Sequence, residues 1–295
     1  MSLSPDTLGA LCALGSSLAW AVIGLMVRTL SPHYSSVTIN AIRSFVSGAV
    51  LIAWVLATGG PGVFTQLSFS VLVLLALSII VASAIGDTVF FESARTLGLA
   101  RAMTVSTTYP LLSTLMAAAL IGEPLTAPVL LGSVITLAGV ALIVTGKSTE
   151  PVLQGQFWTG MAAGLLAALA WAVSVILLKT PLDQVDPVVA QAVRLPIAGA
   201  ALMVTPWGWA APAQLRRGGR VLALRLLVVG AVTTVSSVLF VAGLKYSGVA
   251  AGTVLSSTGP MFAIPLGIAF LGERVSRRSM AGTVITVAGI GVLRS

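Results

Sequence analysis

Gly132-Ser-Val-Ile-Thr-Leu-Ala-Gly139 is written again 150 residues later as Gly282-Thr-Val-Ile-Thr-Val-Ala-Gly289. At the same offset of 150, Arg95 falls on Lys245, Gly98 on Gly248, Pro110 on Pro260 and Gly122-Glu123 on Gly272-Glu273. At an offset of 151, Leu18-Ala-Trp-Ala-Val22 falls on Leu169-Ala-Trp-Ala-Val173, Arg28 on Lys179 and Arg43 on Arg194. The chain is one unit written twice, as residues 1–150 and 151–295.

Composition says what kind of unit it is. Of the 295 residues 57% are hydrophobic and 8% charged, against roughly 25% charged in soluble domains. With a mean hydropathy of +1.05 the chain lacks the polar surface to enclose an aqueous-phase core. Apolar runs near the ~20 residues that cross a bilayer lie at roughly 7–29, 36–57, 69–97, 99–122, 126–146, 155–179, 187–206, 221–246, 248–271 and 276–294. They are too long and too continuously apolar for barrel strands. The expected fold is an all-α integral membrane protein of ten transmembrane helices. The tail Met1 to Asp6 lacks the basic start of a cleavable signal, so the first run reads as a retained helix. Five helices per copy is an odd number, so the second copy enters the bilayer from the opposite side. Two inverted five-helix repeats are the architecture of many secondary transporters.

The same residues carry a family resemblance over essentially the whole chain. Trp20 with Arg28, Arg43 early in the second run, Ala94 to Ala100, Tyr109-Pro110-Leu-Leu-Ser-Thr-Leu, Gly122-Glu123 and the glycine-rich fifth run resemble the EamA-type repeat of the drug/metabolite transporter superfamily. Trp171, Lys179, Arg194, Gly259-Pro260 and Gly272-Glu273 repeat the pattern. The resemblance implies a ten-helix basket that exports or exchanges small metabolites such as amino acids. It leaves the substrate open.

Polar groups inside a bilayer are costly, and each one needs a reason. Arg43 and Arg194 sit about two turns inside the second and seventh runs. They are either substrate-cavity residues or structural anchors that snorkel or bind backbone carbonyls. Asp87 lies about 15 Å into the third run at 1.5 Å per residue, with Glu92 beyond it. Their repeat mates are Ser237 and Ala242, so the carboxylates break the symmetry. Asp87 shares a helical face with Ser83, Gly86 and Phe90, and Glu92 has Arg95 at i+3 to neutralise it. Asp87 and Glu92 are the coupling candidates. Asp87 takes a proton or contacts a substrate ammonium, or else braces a neighbouring helix by a hydrogen bond. Thr233, Ser236, Ser237 and Phe240 repeat the small-polar-plus-Phe face in the eighth run. Trp20, Trp171 and Tyr109 sit mid-span, where an indole needs both a hole and a partner, and join the cavity candidates. Pro110 and Pro260 are expected to kink the fourth and ninth helices as gates or fixed bends. Gly132 with Gly139 and Gly282 with Gly289 form close-packing seams, either within one chain or in a homodimer. Glu123 and Glu273 read as turn residues.

No His cluster, Cys pair or nucleotide-binding glycine loop is present, so no enzyme, metal site or cofactor is expected. His33 and Cys12 stand alone. The net charge of +8 marks cytoplasmic loops rather than nucleic-acid binding. Loops after odd-numbered runs, with their flanks, hold eleven bases, and those after even-numbered runs with the tails hold three. This bias puts both termini outside the cell, whereas the family resemblance implies cytoplasmic termini. The expectation is a multi-pass protein of the plasma or inner membrane, surrounded by lipid. It carries a small-molecule substrate by alternating access, with H+ as a coupling ion. The alternatives are a channel-like facilitator and a non-transporting scaffold.

Overall fold

A computed structural model describes residues 4–30, 32–97, 105–106, 108–145, 157–259, 261–262, 266, 269 and 277–293. Among them every regular element is helical. The first copy contains α1 (Pro5–Leu30), α2 (Ser36–Gly59), the single turn α3 (Gly62–Thr65), α4 (Phe69–Ile79) and a π-helical segment (Ile80–Asp87). It continues with α5 (Thr88–Leu97), α6 (Tyr109–Ile121) and α7 (Ala127–Thr145). The second contains α8 (Phe157–Gln184), α9 (Pro187–Val204), a 3-10 turn (Gly208–Ala210), α10 (Ala211–Ser256) and α11 (Arg277–Leu293).

Local chemistry sets several of these boundaries. Ser35 and Ser68 cap α2 and α4 by accepting the amides of Thr38 and Val71, and Asp186 caps α9 through Val188. Such caps satisfy amides that the first turn leaves without partners. α8 runs through Pro181 to Gln184, five residues past the end expected from the sequence, because the apolar run alone gives no sign of where Asp186 starts the next helix. Within α10, Gly219 (φ 71°) and Gly248 (φ 77°) leave helical geometry, in a region that side chains rarely adopt. They divide it into segments 211–218, 220–247 and 249–256.

Among the described residues six helical stretches are long and apolar enough to cross a membrane, with 69–90 counted through the π segment and 208–256 as one, and three shorter apolar helices accompany them. Large apolar side chains such as Leu131, Leu120 and Val284 are exposed, as the lipid-facing surface of a multi-pass membrane protein requires. Lipid tails are as apolar as leucine, so the helices are joined by close packing and interhelical hydrogen bonds rather than by escape from water. Those contacts are reciprocal across the two copies. Gly48 of α2 faces the Pro196 ring of α9, and Gly199 of α9 faces the Phe45 ring of α2. Pro196 is the repeat mate of Phe45, and Gly199 of Gly48. Likewise a methyl at Gly139 would lie 2.5 Å from the Thr286 amide nitrogen, while one at Gly289 would strike the mate residue, Thr136. The glycine seams of α7 and α11 therefore close on each other within one chain. α1 packs along segment 220–247, where Ser236 Oγ donates to the Ser16 carbonyl at 3.3 Å. In the mate pair, α5 and the π segment pack on α8, with Ser93 Oγ donating to the Gly160 carbonyl at 2.8 Å. A core of Val71, Leu75, Leu178, Leu182, Val241 and Leu244 draws on both copies.

Candidate functional site

The π-helical segment ends at Asp87. Such wide turns are rare and gather at functional sites. Gly86 is buried and gives the Trp171 indole of α8 access to this turn: a methyl there would sit 2.6 Å from Nε1. The indole N–H is shared between the Ala82 carbonyl at 3.2 Å and Asp87 Oδ1 at 3.1 Å. The other carboxylate oxygen, Oδ2, accepts from Asn40 Nδ2 at 3.0 Å and from Ser83 Oγ at 3.4 Å. Asn40 turns its own carbonyl to Arg43, which donates from Nε at 2.6 Å. The guanidinium carbon lies 5.1 Å from the Trp20 ring centroid, within range of a cation–π contact. Thus a continuous linkage runs Trp20, Arg43, Asn40, Asp87, Trp171. Arg43 reaches the carboxylate through an amide. Phe90 and Tyr109 complete the far end, with ring centroids 5.4 Å and 5.8 Å from Trp171.

The second copy repeats the polar part of this linkage. Arg194, only 4% exposed, donates from Nη1 to Gln191 Oε1 at 2.8 Å, and Gln191 Nε2 donates to the Ser237 carbonyl at 3.1 Å. Gln191 is the repeat mate of Asn40, and Ser237 of Asp87. Each copy therefore holds its arginine by an amide three residues earlier and ties that amide to the same position of the third or eighth run. In the first copy the tie ends on a carboxylate and in the second on a backbone carbonyl. Arg194 also donates from Nε to Ser78 Oγ at 3.0 Å, which binds it to α4 of the other copy.

A hollow of about 150 Å³ opens beside Asp87, lined by Ser36, Val37, Asn40, Ser83, Asp87, Thr88, Leu202 and Trp207. It lies toward the end of the molecule formed by the 32–35 and 205–210 connections. A hollow of about 380 Å³ near Trp54, Thr58, Val63 and Asp186 reaches none of the polar linkage. At that opposite end the copies are clamped together. Glu123 accepts the Val249 amide of the second copy through both carboxylate oxygens, at 2.9 and 3.1 Å; within the second copy, Lys245 Nζ donates to the Val185 carbonyl at 2.8 Å. Glu123 is thus more than the turn residue its sequence setting suggests. It caps the helix that restarts after Gly248, and an anionic cap at a helix start is favourable.

The remaining candidates are distributed unevenly. Trp20 is half exposed under Arg43 instead of matching Trp171. Its neighbour from the ninth run is Gly259, the mate of Tyr109, which supplies no ring to cover it. Glu92 stands in α5 away from the hollow, and the Arg28 and Arg95 side chains lie outside the described residues. The Ser237 hydroxyl donates to the Thr234 carbonyl at 3.1 Å, Phe240 packs against the shared core and Ser236 is used by α1, so this face is spent largely on packing. Pro110 does not kink a continuing helix. It occupies the first turn of α6, the position where a missing N–H does no harm. The chain turns at Thr108 and at its mate Thr258, and each threonine donates to a mate carbonyl, Val105 at 2.8 Å and Leu255 at 2.7 Å. Pro260 and Glu273 lie outside the described residues. Among the described residues no group of three His, Cys, Asp or Glu is placed to hold a metal. Sequence reasoning missed Asn40, Gln191 and Trp207. For the two amides the signal was present, as polar residues in matching intramembrane positions at an offset of 151.

Comparison with known proteins gives the family and the fold. The profile of the EamA-like transporter family matches residues 7–145 and again 158–295. An uncharacterized transporter from Archaeoglobus fulgidus is 26% identical over 283 residues, covering 96% of both chains. A crystal structure at 20% identity shares the fold, with a TM-score of 0.80 over 96% of this chain and 94% of that one. The chain belongs to the EamA-like transporter family.

Proposed function

We propose that the protein is a ten-helix secondary transporter whose two five-helix repeats, 1–150 and 151–295, are inverted and exchange conformations in an alternating-access cycle. Its substrates are small metabolites, amino acids first, and export or exchange is the direction of use. The observation that carries this reading is the Arg43–Asn40–Asp87 linkage, whose Asn40 and Asp87 members line a hollow of about 150 Å³. An amino acid has an ammonium for Asp87, a carboxylate for the Asn40 amide and the Ser36 hydroxyl, and an apolar side chain for Val37, Leu202 and Trp207. The hollow holds about five water volumes at ~30 Å³ each, which suits a small zwitterion. Asp87 is also the carboxylate placed to exchange a proton, making H+ the coupling ion, and Glu92 a second station on the same helix.

Reciprocal packing across the copies supports the cycle, because a symmetric contact has two equivalent ways to close. The unwound turns at Thr108 and Thr258 are the hinges, with Pro110 preventing its helix from rewinding through Thr108. The hollow opens at the end flanked by Arg216, Arg217 and Arg220. Basic loops face the cytoplasm, so we place this mouth there, at the loading side of an exporter in the plasma or inner membrane, with both termini outside. Reporter fusions at the two termini test that orientation.

A proteoliposome uptake screen across amino acids, with and without a pH gradient, tests the function. Saturable uptake accelerated by the gradient is expected. Unitary current without saturable exchange would make the protein a channel-like facilitator, and no solute movement at all would make it a scaffold.

A further inference from the structure

Residues 187–272 contain six bases and no acid. Four of the bases, Arg216, Arg217, Arg220 and Arg225, are exposed on segments 211–218 and 220–247 of α10. Among the described residues none of these four guanidinium groups makes a hydrogen bond or ion pair. They are not spread over a floppy connection, because segment 211–218 is docked. Gln214 Oε1 accepts the Ser35 amide at 2.8 Å, Leu215 and Leu222 pack against the cluster around Tyr34, and a methyl on Gly218 would collide with the Tyr34 hydroxyl. One edge of the segment is therefore seated on the 32–35 connection while its arginines face outward. Immediately before it, Trp207 and Trp209 are exposed together with Val204. Exposed tryptophans followed by unpaired arginines, on a chain that spans a bilayer, mark the headgroup level.

We propose that Arg216, Arg217 and Arg220 bind the headgroup of an anionic phospholipid, and that this lipid regulates access to the Asp87 hollow. The charge complement is direct: three cations with no protein counter-charge meet the phosphate and net charge of an anionic headgroup, and Trp209 lies alongside at the interface. The link to the hollow is Trp207, which lines it and belongs to the same connection. A lipid held by the arginines of this docked segment lies over the adjoining 205–210 connection, and with it over the indole at the mouth. The regulatory half rests on reading that hollow as a substrate station. The binding half does not.

Thermal unfolding of the purified protein in a mild detergent tests the binding half. Phosphatidylglycerol is expected to raise the melting temperature, and phosphatidylcholine at the same concentration is not. Each of Arg216→Gln, Arg217→Gln and Arg220→Gln weakens the apparent lipid affinity by about fivefold, and the triple variant loses the phosphatidylglycerol effect. The single variants keep the test open if the triple variant fails to fold. An equal rise with phosphatidylcholine, an undiminished rise in the variants, or the same rise from inorganic phosphate alone would overturn the proposal. The regulatory half is read separately in nanodiscs, from maleimide labelling of Val37→Cys in a Cys12→Ala background. Labelling is expected to be at least threefold slower in phosphatidylglycerol than in phosphatidylcholine, a difference absent from the triple variant. Equal labelling in the two lipids would sink the regulatory half and leave the binding result standing on its own.

Discussion

Gly86→Ala probes the contact on which the Asp87 site is built. The added methyl would lie 2.6 Å from Trp171 Nε1 and 2.7 Å from Cδ1, against the 3.4 Å where ordinary contact begins. The indole must retreat by 0.8 Å, the difference of the first and last of those distances. Carried along the bond, that shift lengthens the 3.1 Å hydrogen bond to Asp87 to about 3.9 Å, beyond hydrogen-bonding range. Overpacking of this kind costs about 1–3 kcal/mol, and an interhelical hydrogen bond in a membrane contributes ~1 kcal/mol. The expected destabilisation is therefore about 2–4 kcal/mol, read from detergent-induced unfolding. Trp171→Leu removes the ring that the methyl strikes, so in a double-mutant cycle the two changes should couple by at least ~1 kcal/mol. Independent sites add to within about 0.5 kcal/mol. Additivity within that margin would refute the claim that Gly86 exists to admit the indole.

Other parts of the structure give smaller or opposite effects. Glu123→Ala removes the cap on the helix that restarts at Val249 and should cost about 0.5–2 kcal/mol, with Glu123→Gln costing less; unfolding midpoints check both. Gly139→Leu should destabilise the monomer by separating α7 from α11 while leaving the oligomeric state in size-exclusion light scattering unchanged, because the seam is internal. Asp183→Asn breaks the 3.1 Å pair with Lys179 at the surface, where Asp183 is 61% exposed, and should change stability by less than ~1 kcal/mol.

The duplication is a property of the sequence itself, in which glycines, arginines and prolines recur at fixed offsets. Asp87 stood out for the same reason: an intramembrane acid whose mate is a serine. The reason for its placement was not legible. A π-helical turn has no one-dimensional signature, and Gly86 gains meaning once Trp171 arrives from 85 positions away. The Asn40 and Gln191 tethers escaped because an amide has no charge to draw attention, although its mate position was readable. Pro110 was read as a kink because a proline in an apolar run is compatible with either a bent helix or a new start. The choice depends on the unwound turn at Thr108, which tertiary packing determines. Glu123 capping Val249 joins residues 126 positions apart and has no local signal.

Counterflow in proteoliposomes tests the central claim most directly. Vesicles preloaded with unlabelled amino acid should accumulate the labelled one transiently and saturably. Asp87→Asn, which keeps an isosteric group beside Asn40, Ser83 and Trp171 but removes the charge, should reduce that exchange at least tenfold and abolish its acceleration by a pH gradient. Exchange by the Asp87→Asn protein at the parental rate and with the parental pH response would contradict the assignment of Asp87 as the substrate and proton station.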